Sequence, residues 1–323
     1  MSAPTRYKVA AGTAVAAGLL RIAYPYLSRD YHAFRQTSSF LKAARVYLDS
    51  KRYIVDMFEE AAAHNPYKTF IIYENTIYTY GDINRMANKF ANFVRKKGLK
   101  LGDCAAVLMY NEPSFIWSYL GFAKLGIRVA FLNYNLRLDP LVHCIDVSEA
   151  KVVIVGHDPE LIPAVEGIFS QLQDRGVDVW ITGGSYDGPY THIDNHLSSM
   201  SEQPIPRDTR RSLTESDISV YIFTSGTTGH PKASKITYYR QLMAAFMLSP
   251  VGITANDRTY ISLPLYHSSA SMLSFSTVLR TQSTIVLARK LSVRRFWEDC
   301  RRHGVTVIFY IGETCRYLLS LPP

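Results

Sequence analysis

Residues 221–234 read YIFTSGTTGHPKAS, and how this stretch divides decides the fold. Its front, residues 219–223, is a β-branched and aromatic run that predicts a buried strand. Nine residues dominated by Thr, Ser and Gly follow at once, closed by Pro231 and Lys232. Gly226 and Gly229 permit turns that a side chain would forbid, so backbone N–H groups can converge. Converging amides and hydroxyls make a concave anion site, and Lys232 adds a full positive charge. A polyphosphate suits such a site.

The spacing excludes two other phosphate loops. A P-loop needs GxxxxGK followed by Ser or Thr, whereas Gly226 and Gly229 are three apart and Ala233 follows Lys232. The dinucleotide fingerprint GxGxxG is absent from this turn. A flexible polar linker would share the composition, but not the abutting strand or the closing Pro-Lys pair.

Around this centre the chain alternates. Downstream, the pattern predicts a helix near residues 236–248, a strand at 259–263 and a helix near 271–279. A strand at 284–287, a helix at 292–303 and a strand at 305–309 complete that half. Upstream, helices are expected at 54–64, 79–97, 113–124, 140–148 and 160–174, with strands at 105–109, 129–132, 152–155 and 177–181. Gly98 is a natural stop for the second helix, and Pro113 a natural start for the third. Residues 183–216 are polar and irregular. Near-continuous apolar strands between helices imply parallel sheets covered on both faces.

At 323 residues and 47% hydrophobic content, the chain can bury a large core in more than one folding unit. Cys104, Cys144, Cys300 and Cys315 form no CxxC pair, which supports neither a zinc site nor a disulfide framework. Most of the +9 net charge sits in residues 1–52, where nine Lys or Arg stand against Asp30 and Asp49. A nucleic-acid arm would be basic too, but residues 9–20 are an apolar run, which such arms do not need. That run has 12 residues, short of the about 20 a spanning helix needs. A cleaved signal peptide fits its length; the reading adopted is a membrane anchor or interfacial helix, its basic flank facing cytosol and anionic lipid.

The loop from Thr224 to Lys232 resembles the T-S-G-T-T-G-x-P-K signature of the adenylate-forming superfamily, with His230 at the variable position. Residues 79–111, TYGDINRMANKFANFVRKKGLKLGDCAAVLMYN, look like the front of such enzymes, and residues 262–269, SLPLYHSS, like a second superfamily element. Residues 295–322, with Tyr238 and Tyr239 before Arg240, are similar to fatty acid transport proteins, also called very long-chain acyl-CoA synthetases.

The resemblance implies an α/β fold that is part of the large N-terminal domain of an adenylate-forming enzyme, preceded by a membrane-associated helix. Residues 1–52 would form the anchor segment and 53–183 a first α/β portion of the AMP-binding domain. Residues 184–216 would be an irregular connection and 217–323 a second α/β portion. The implied activity is ATP-dependent conversion of a fatty acid to acyl-CoA through acyl-AMP, with coenzyme A as co-substrate. Thr224, Ser225, Gly226, Thr227, Thr228, Gly229 and Lys232 would hold the phosphates, alongside a Mg²⁺ carried largely by the phosphates themselves. His267 would orient the reacting carboxylate or adenylate, with Tyr266 packed beside it, and no protein metal-ligand set is implied.

The resemblance also implies what is missing. Relatives carry an aromatic-G-x-T-E element, a ribose-gripping Asp and a C-terminal domain with a catalytic Lys. Residues 310–314, YIGET, have the wrong order for the first. The 323-residue chain alone is therefore expected to be inactive. Partners would be a fatty acid and membrane lipid but no nucleic acid, with self-association open and a cytosol-facing membrane location. A non-catalytic lipid-binding or transport component is the alternative; an aryl-acid or amino-acid activator fits residues 295–322 less well.

Overall fold

The computed structural model describes residues 27–184, 186–224 and 229–320. Twelve strands fall among these described residues: β1 (Thr69–Tyr73), β2 (Thr76–Thr79), β3 (Cys104–Leu108), β4 (Arg128–Phe131), β5 (Ala150–Val155), β6 (Asp178–Ile181), β7 (Thr191–His192), β8 (Ile218–Thr224), β9 (Lys232–Thr237), β10 (Arg258–Ile261), β11 (Thr284–Leu287) and β12 (Val307–Ile308). The principal helices are α1 (Leu27–Asp49), α2 (Ile54–His64), α3 (Tyr80–Lys96), α4 (Pro113–Lys124), α5 (Leu138–Ser148), α6 (Tyr238–Met247), α7 (Val293–His303) and α8 (Gly312–Leu319).

Local chemistry explains the boundaries. Thr79 caps α3: its hydroxyl accepts the Asp82 N–H at 3.0 Å, and the Asp82 carboxylate accepts the Thr79 N–H at 2.8 Å. Ile83, Ala87, Phe90 and Val94 then recur at helical spacing and are buried. Gly98, at φ +88°, ends the run. Helix α4 has no polar stripe and is buried nearly all round, lying between α3 and the sheet.

Two sheets result, and both are mixed. The seven-stranded sheet has the order β7-β6-β5-β3-β4-β8-β9 and the five-stranded sheet β12-β10-β11-β1-β2. Every pairing is parallel except β8 with β9 and β1 with β2. The expectation of parallel sheets is corrected at these two edges. Strands β2 and β9 are largely unburied, and each pairs with the strand just before it through a short connection, of two residues for β1–β2 and seven for β8–β9, which a parallel partner could not do. Successive residues of β3 point to opposite faces: Ala105 and Val107 join the main core with α2, α3 and α4, while Cys104, Ala106 and Leu108 join a second core. The seven-stranded sheet is thus covered on both sides.

Other expectations shift. The helix expected at 160–174 is broken into a 3₁₀ turn, Pro159–Leu161, and two short helices, Ile162–Glu166 and Phe169–Asp174. Residues 69–79, given no element from sequence, supply β1 and β2. The polar stretch 184–216 docks through a buried ionic network. Arg210 donates to Asp56 at 2.9 Å and also pairs with Glu59, which in turn accepts from Lys124 at 2.6 Å. The apolar run 9–20 lies outside the described residues. No described helix is long and apolar enough to cross a membrane.

Candidate active site

Strands β8 and β9 form a hairpin in which Thr224 opposes Lys232, with residues 225–231 connecting them in sequence. Ser225, Gly226, Thr227 and Thr228 lie outside the described residues. Residues 229–231 lead into β9. Gly229 has φ +108°, a conformation that favours glycine, and no atom of the described residues lies within 4 Å of where a Cβ would sit. The His230 ring stacks on His143 of α5 with centroids 4.7 Å apart. His143 Nε2 lies 3.1 Å from the Pro231 carbonyl and donates to it. Lys232 is exposed, and no acidic side chain among the described residues pairs with it.

Because β8 pairs in parallel with β4, this loop opens on the edge where β4 ends and the chain runs on to Tyr134. Tyr134 packs against Tyr110, just after β3, at 4.2 Å, and edge-on against Tyr266 at 5.1 Å. Tyr266 belongs to the turn after β10, in the other sheet. The two sheets therefore meet at their C-terminal strand ends, where open α/β sheets take ligands. Arg289, just after β11, lies over the Tyr110 ring at 4.5 Å and pairs with Asp158.

Asn111 holds the turn in place. Its amide donates to the carbonyls of Leu263 at 2.9 Å and Ala288 at 3.1 Å, and its oxygen accepts the Leu265 N–H at 2.7 Å. Tyr266 and His267 come next. Burial pushes the Tyr266 phenol up to about 12, so it stays neutral and cannot act as a base near neutral pH. The His267 ring is exposed, 5.7 Å from that of Tyr266, while its carbonyl accepts the Ser271 N–H at 2.9 Å and opens the π-helical turn Ser269–Phe275.

Behind this turn lies a narrow apolar cavity of about 10 Å³, walled by Phe115, Phe131, Leu265 and Phe275 among others. It has room for a water at most. On the outer flank, the buried carboxylate of Glu112 contacts His157 Nδ1 and accepts from the Ser114 hydroxyl. Hydrogen bonding to Glu112 raises the pKa of His157 above the ordinary imidazole range, against a smaller opposing effect of burial.

Of the residues singled out from sequence, Thr224, Gly229 and Lys232 stand on the loop arms, and Tyr266 and His267 on the facing turn. Tyr134, His143 and Arg289 went unremarked, since nothing in their local sequence separates them from ordinary surface residues. Asn111 had a signal, closing a quoted segment, but no role could be read for it.

The AMP-binding enzyme family matches residues 58–323. The chain belongs to that family. Among its relatives, long-chain fatty acid transport protein 2 of Rattus norvegicus is 37% identical over 99% of this chain and 52% of its own length. Long-chain fatty acid transport protein 6 of Mus musculus is 38% identical over 96% of this chain and 51% of its own. The chain thus spans about half the length of these relatives. A solved fatty acyl CoA synthetase from Mycobacterium tuberculosis has the same fold, with a TM-score of 0.70 and 23% identity over 84% of this chain and 51% of that one.

Proposed function

We propose that this chain is the nucleotide- and acyl-binding portion of a long- or very long-chain fatty acid–CoA ligase. The observation that supports it most is the hairpin that presents Thr224 and Lys232 on the same strand-end rim as Tyr266 and His267. A fatty carboxylate would attack the α-phosphorus of bound ATP and expel pyrophosphate, giving acyl-AMP, from which the coenzyme A thiol would take the acyl group with release of AMP. The protein's task in that first step is to bring two anions together, so positioning and charge neutralisation dominate.

Residues 224–229 would cradle the β- and γ-phosphates with backbone N–H groups and hydroxyls, and Lys232 would offset their charge. His267 would sit beside the carboxylate as an orienting or electrostatic group, held by Asn111 through the turn and flanked by Tyr266. Among the described residues no three acidic, thiol or imidazole groups converge to hold a metal ion. A Mg²⁺ here would be carried mainly by the nucleotide's own phosphates. An acyl chain entering behind the His267 turn would have to displace Phe131 and Phe275, because the cavity there is only about 10 Å³. The basic N-terminal segment would hold the protein at a cytosol-facing membrane surface.

Equilibrium titration with ATP tests this reading on the chain itself. Binding at millimolar ATP or below, lost in Lys232→Ala, is the expected result. No binding at those concentrations would remove the activation chemistry. On the complete gene product, fatty acid-dependent pyrophosphate exchange abolished by Lys232→Ala separates the ligase from a non-catalytic lipid carrier.

A further inference from the structure

In the five-stranded sheet, Ile71, Ile261 and Ile285 enter the main core. Their neighbours Ile72, Tyr260 and Val286 face the other way, where Phe296 of α7 packs against the Tyr260 ring with centroids 5.2 Å apart. Between α7 and the β1 end of the sheet lies a cavity of about 440 Å³, with Ile72 and Val286 in its wall. A second cavity, of about 510 Å³, shares Ile72, Glu74, Asn75, Arg302 and His303 with the first and extends to Lys68 and Arg258. Volumes of this size accommodate small-molecule ligands. Lys232, Tyr266 and His267 line neither cavity.

Cations outnumber anions in the wall. Arg289, Lys290, Arg295 and Arg302 line the first cavity against Glu74 and Asp299. Asp299 is buried and already engaged: it accepts from the Tyr260 hydroxyl at 2.9 Å and lies 3.5 Å from Arg295. Arg302 donates to the side-chain oxygen of Asn75 at 2.6 Å, and neither it nor Lys290 pairs with a carboxylate among the described residues. Burial, then the charge of Arg302, pushes the His303 imidazole below its ordinary pKa; Arg258 and Arg295 add to this against Asp299. The imidazole thus registers a positive field inside the groove. We propose that this cavity is a second anion site, for a soluble polyphosphate, distinct from the loop at residues 224–232. Two or more phosphates suit it better than one carboxylate, because Lys290, Arg295 and Arg302 would each give charge-assisted hydrogen bonds to phosphate oxygens. A nucleoside attached to those phosphates would lie against Ile72 and Val286. Arg289 stays outside the binding set, since it pairs with Asp158 and lies over the Tyr110 ring at the active-site rim.

Hydrogen-exchange mass spectrometry of the 323-residue chain tests this, with pyrophosphate in one arm and ADP in the other. Either ligand is expected to slow exchange across residues 286–303. It should do so equally in Lys232→Ala, so the result stands apart from ATP binding at the loop. Lys290→Gln with Arg302→Gln should raise the ligand concentration needed for that protection by about tenfold or more. Arg294→Gln with Arg301→Gln, an equal loss of charge on α7 outside both cavities, should behave as the parent does. Equal affinities in the two arms assign the site to free polyphosphate and tighter ADP binding to a nucleotide, the site standing either way. Absence of protection at 286–303 in the parent, its loss in Lys232→Ala, or equal weakening by the two double variants overturns the proposal.

Discussion

Asn111 Oδ1 accepts the Leu265 N–H at 2.7 Å, so a residue at the rim of one sheet fixes the main chain that leads from the other sheet into Tyr266 and His267. With its two donated bonds to Leu263 and Ala288, the side chain satisfies three buried or part-buried backbone groups. Asn111→Ala should cost about 3 kcal/mol, because the groups left unpaired lose their partners without regaining water. Asn111→Asp should cost at least as much, since it sets a carboxylate against two carbonyl oxygens. Urea denaturation midpoints indistinguishable from the parent would show that the two sheets are held together without this residue.

The network of Asp56, Glu59, Lys124 and Arg210 makes an asymmetric prediction. Asp56→Ala strips Arg210, whose side chain is 3% exposed, of one carboxylate and should cost about 3–5 kcal/mol. Lys124→Met should change stability by about 1 kcal/mol or less, because Glu59 keeps Arg210 as partner and the desolvated ammonium is replaced by a side chain of similar length. Chemical denaturation of both variants distinguishes a net-stabilising network from one that only breaks when unbalanced.

His157 gives a pH dependence. Its folded-state pKa is raised, chiefly by hydrogen bonding to Glu112, so folding favours the protonated ring. Stability from this pair is fully present below about pH 6.5, the unfolded value, and is lost as pH rises through the folded pKa. Glu112→Gln should lower the His157 pKa in an NMR titration and flatten the neutral-pH slope of the urea midpoint. An unchanged titration in that variant would mean Glu112 does not set it.

Gly229→Ala separates loop function from fold. At φ +108° an alanine is strained, yet no atom among the described residues obstructs its Cβ. The exposed loop should relax instead of unfolding the chain. ATP affinity is expected to fall about tenfold or more, the equivalent of about 1.4 kcal/mol of backbone strain, with the thermal midpoint held. A lower midpoint at unchanged affinity would contradict this.

Gly121→Ala tests the contact between α3 and α4. A Cβ there would lie 2.7 Å from the Phe90 ring and 2.9 Å from the Ala87 carbonyl, where the backbone cannot yield cheaply. Overpacking of this kind costs about 1–3 kcal/mol, and denaturation of the variant measures it.

Several elements were legible before any fold was known. Pro113 at a helix start and the apolar run behind it predict 113–124, the span that α4 occupies. The strand expected at 284–287 is β11 to the residue. Strand β9 was not legible: KASKIT is polar and short, and it becomes a strand because β8 lies beside it. Strand β2, four residues at a sheet edge, is a similar case. The long helix expected at 160–174 fails because Pro163 restarts the chain and residues around Gly167 leave the helical path.

Read by itself, the sequence determined the Gly-, Ser- and Thr-rich composition of residues 224–232, the alternation of strands with helices, and the crowding of positive charge into residues 1–52. These properties depend on near neighbours, whose periodicity and turn chemistry are local. Only the tertiary structure decided that β1 and β2 join β10–β12 while β8 and β9 join β3–β7, and that Asn111 closes one sheet onto the other. The β4–β8 pairing joins residues about ninety positions apart, the β1–β11 pairing more than two hundred, and the Asn111–Leu265 bond more than one hundred and fifty. Their energy comes from burying shared surface, which a one-dimensional pattern does not encode.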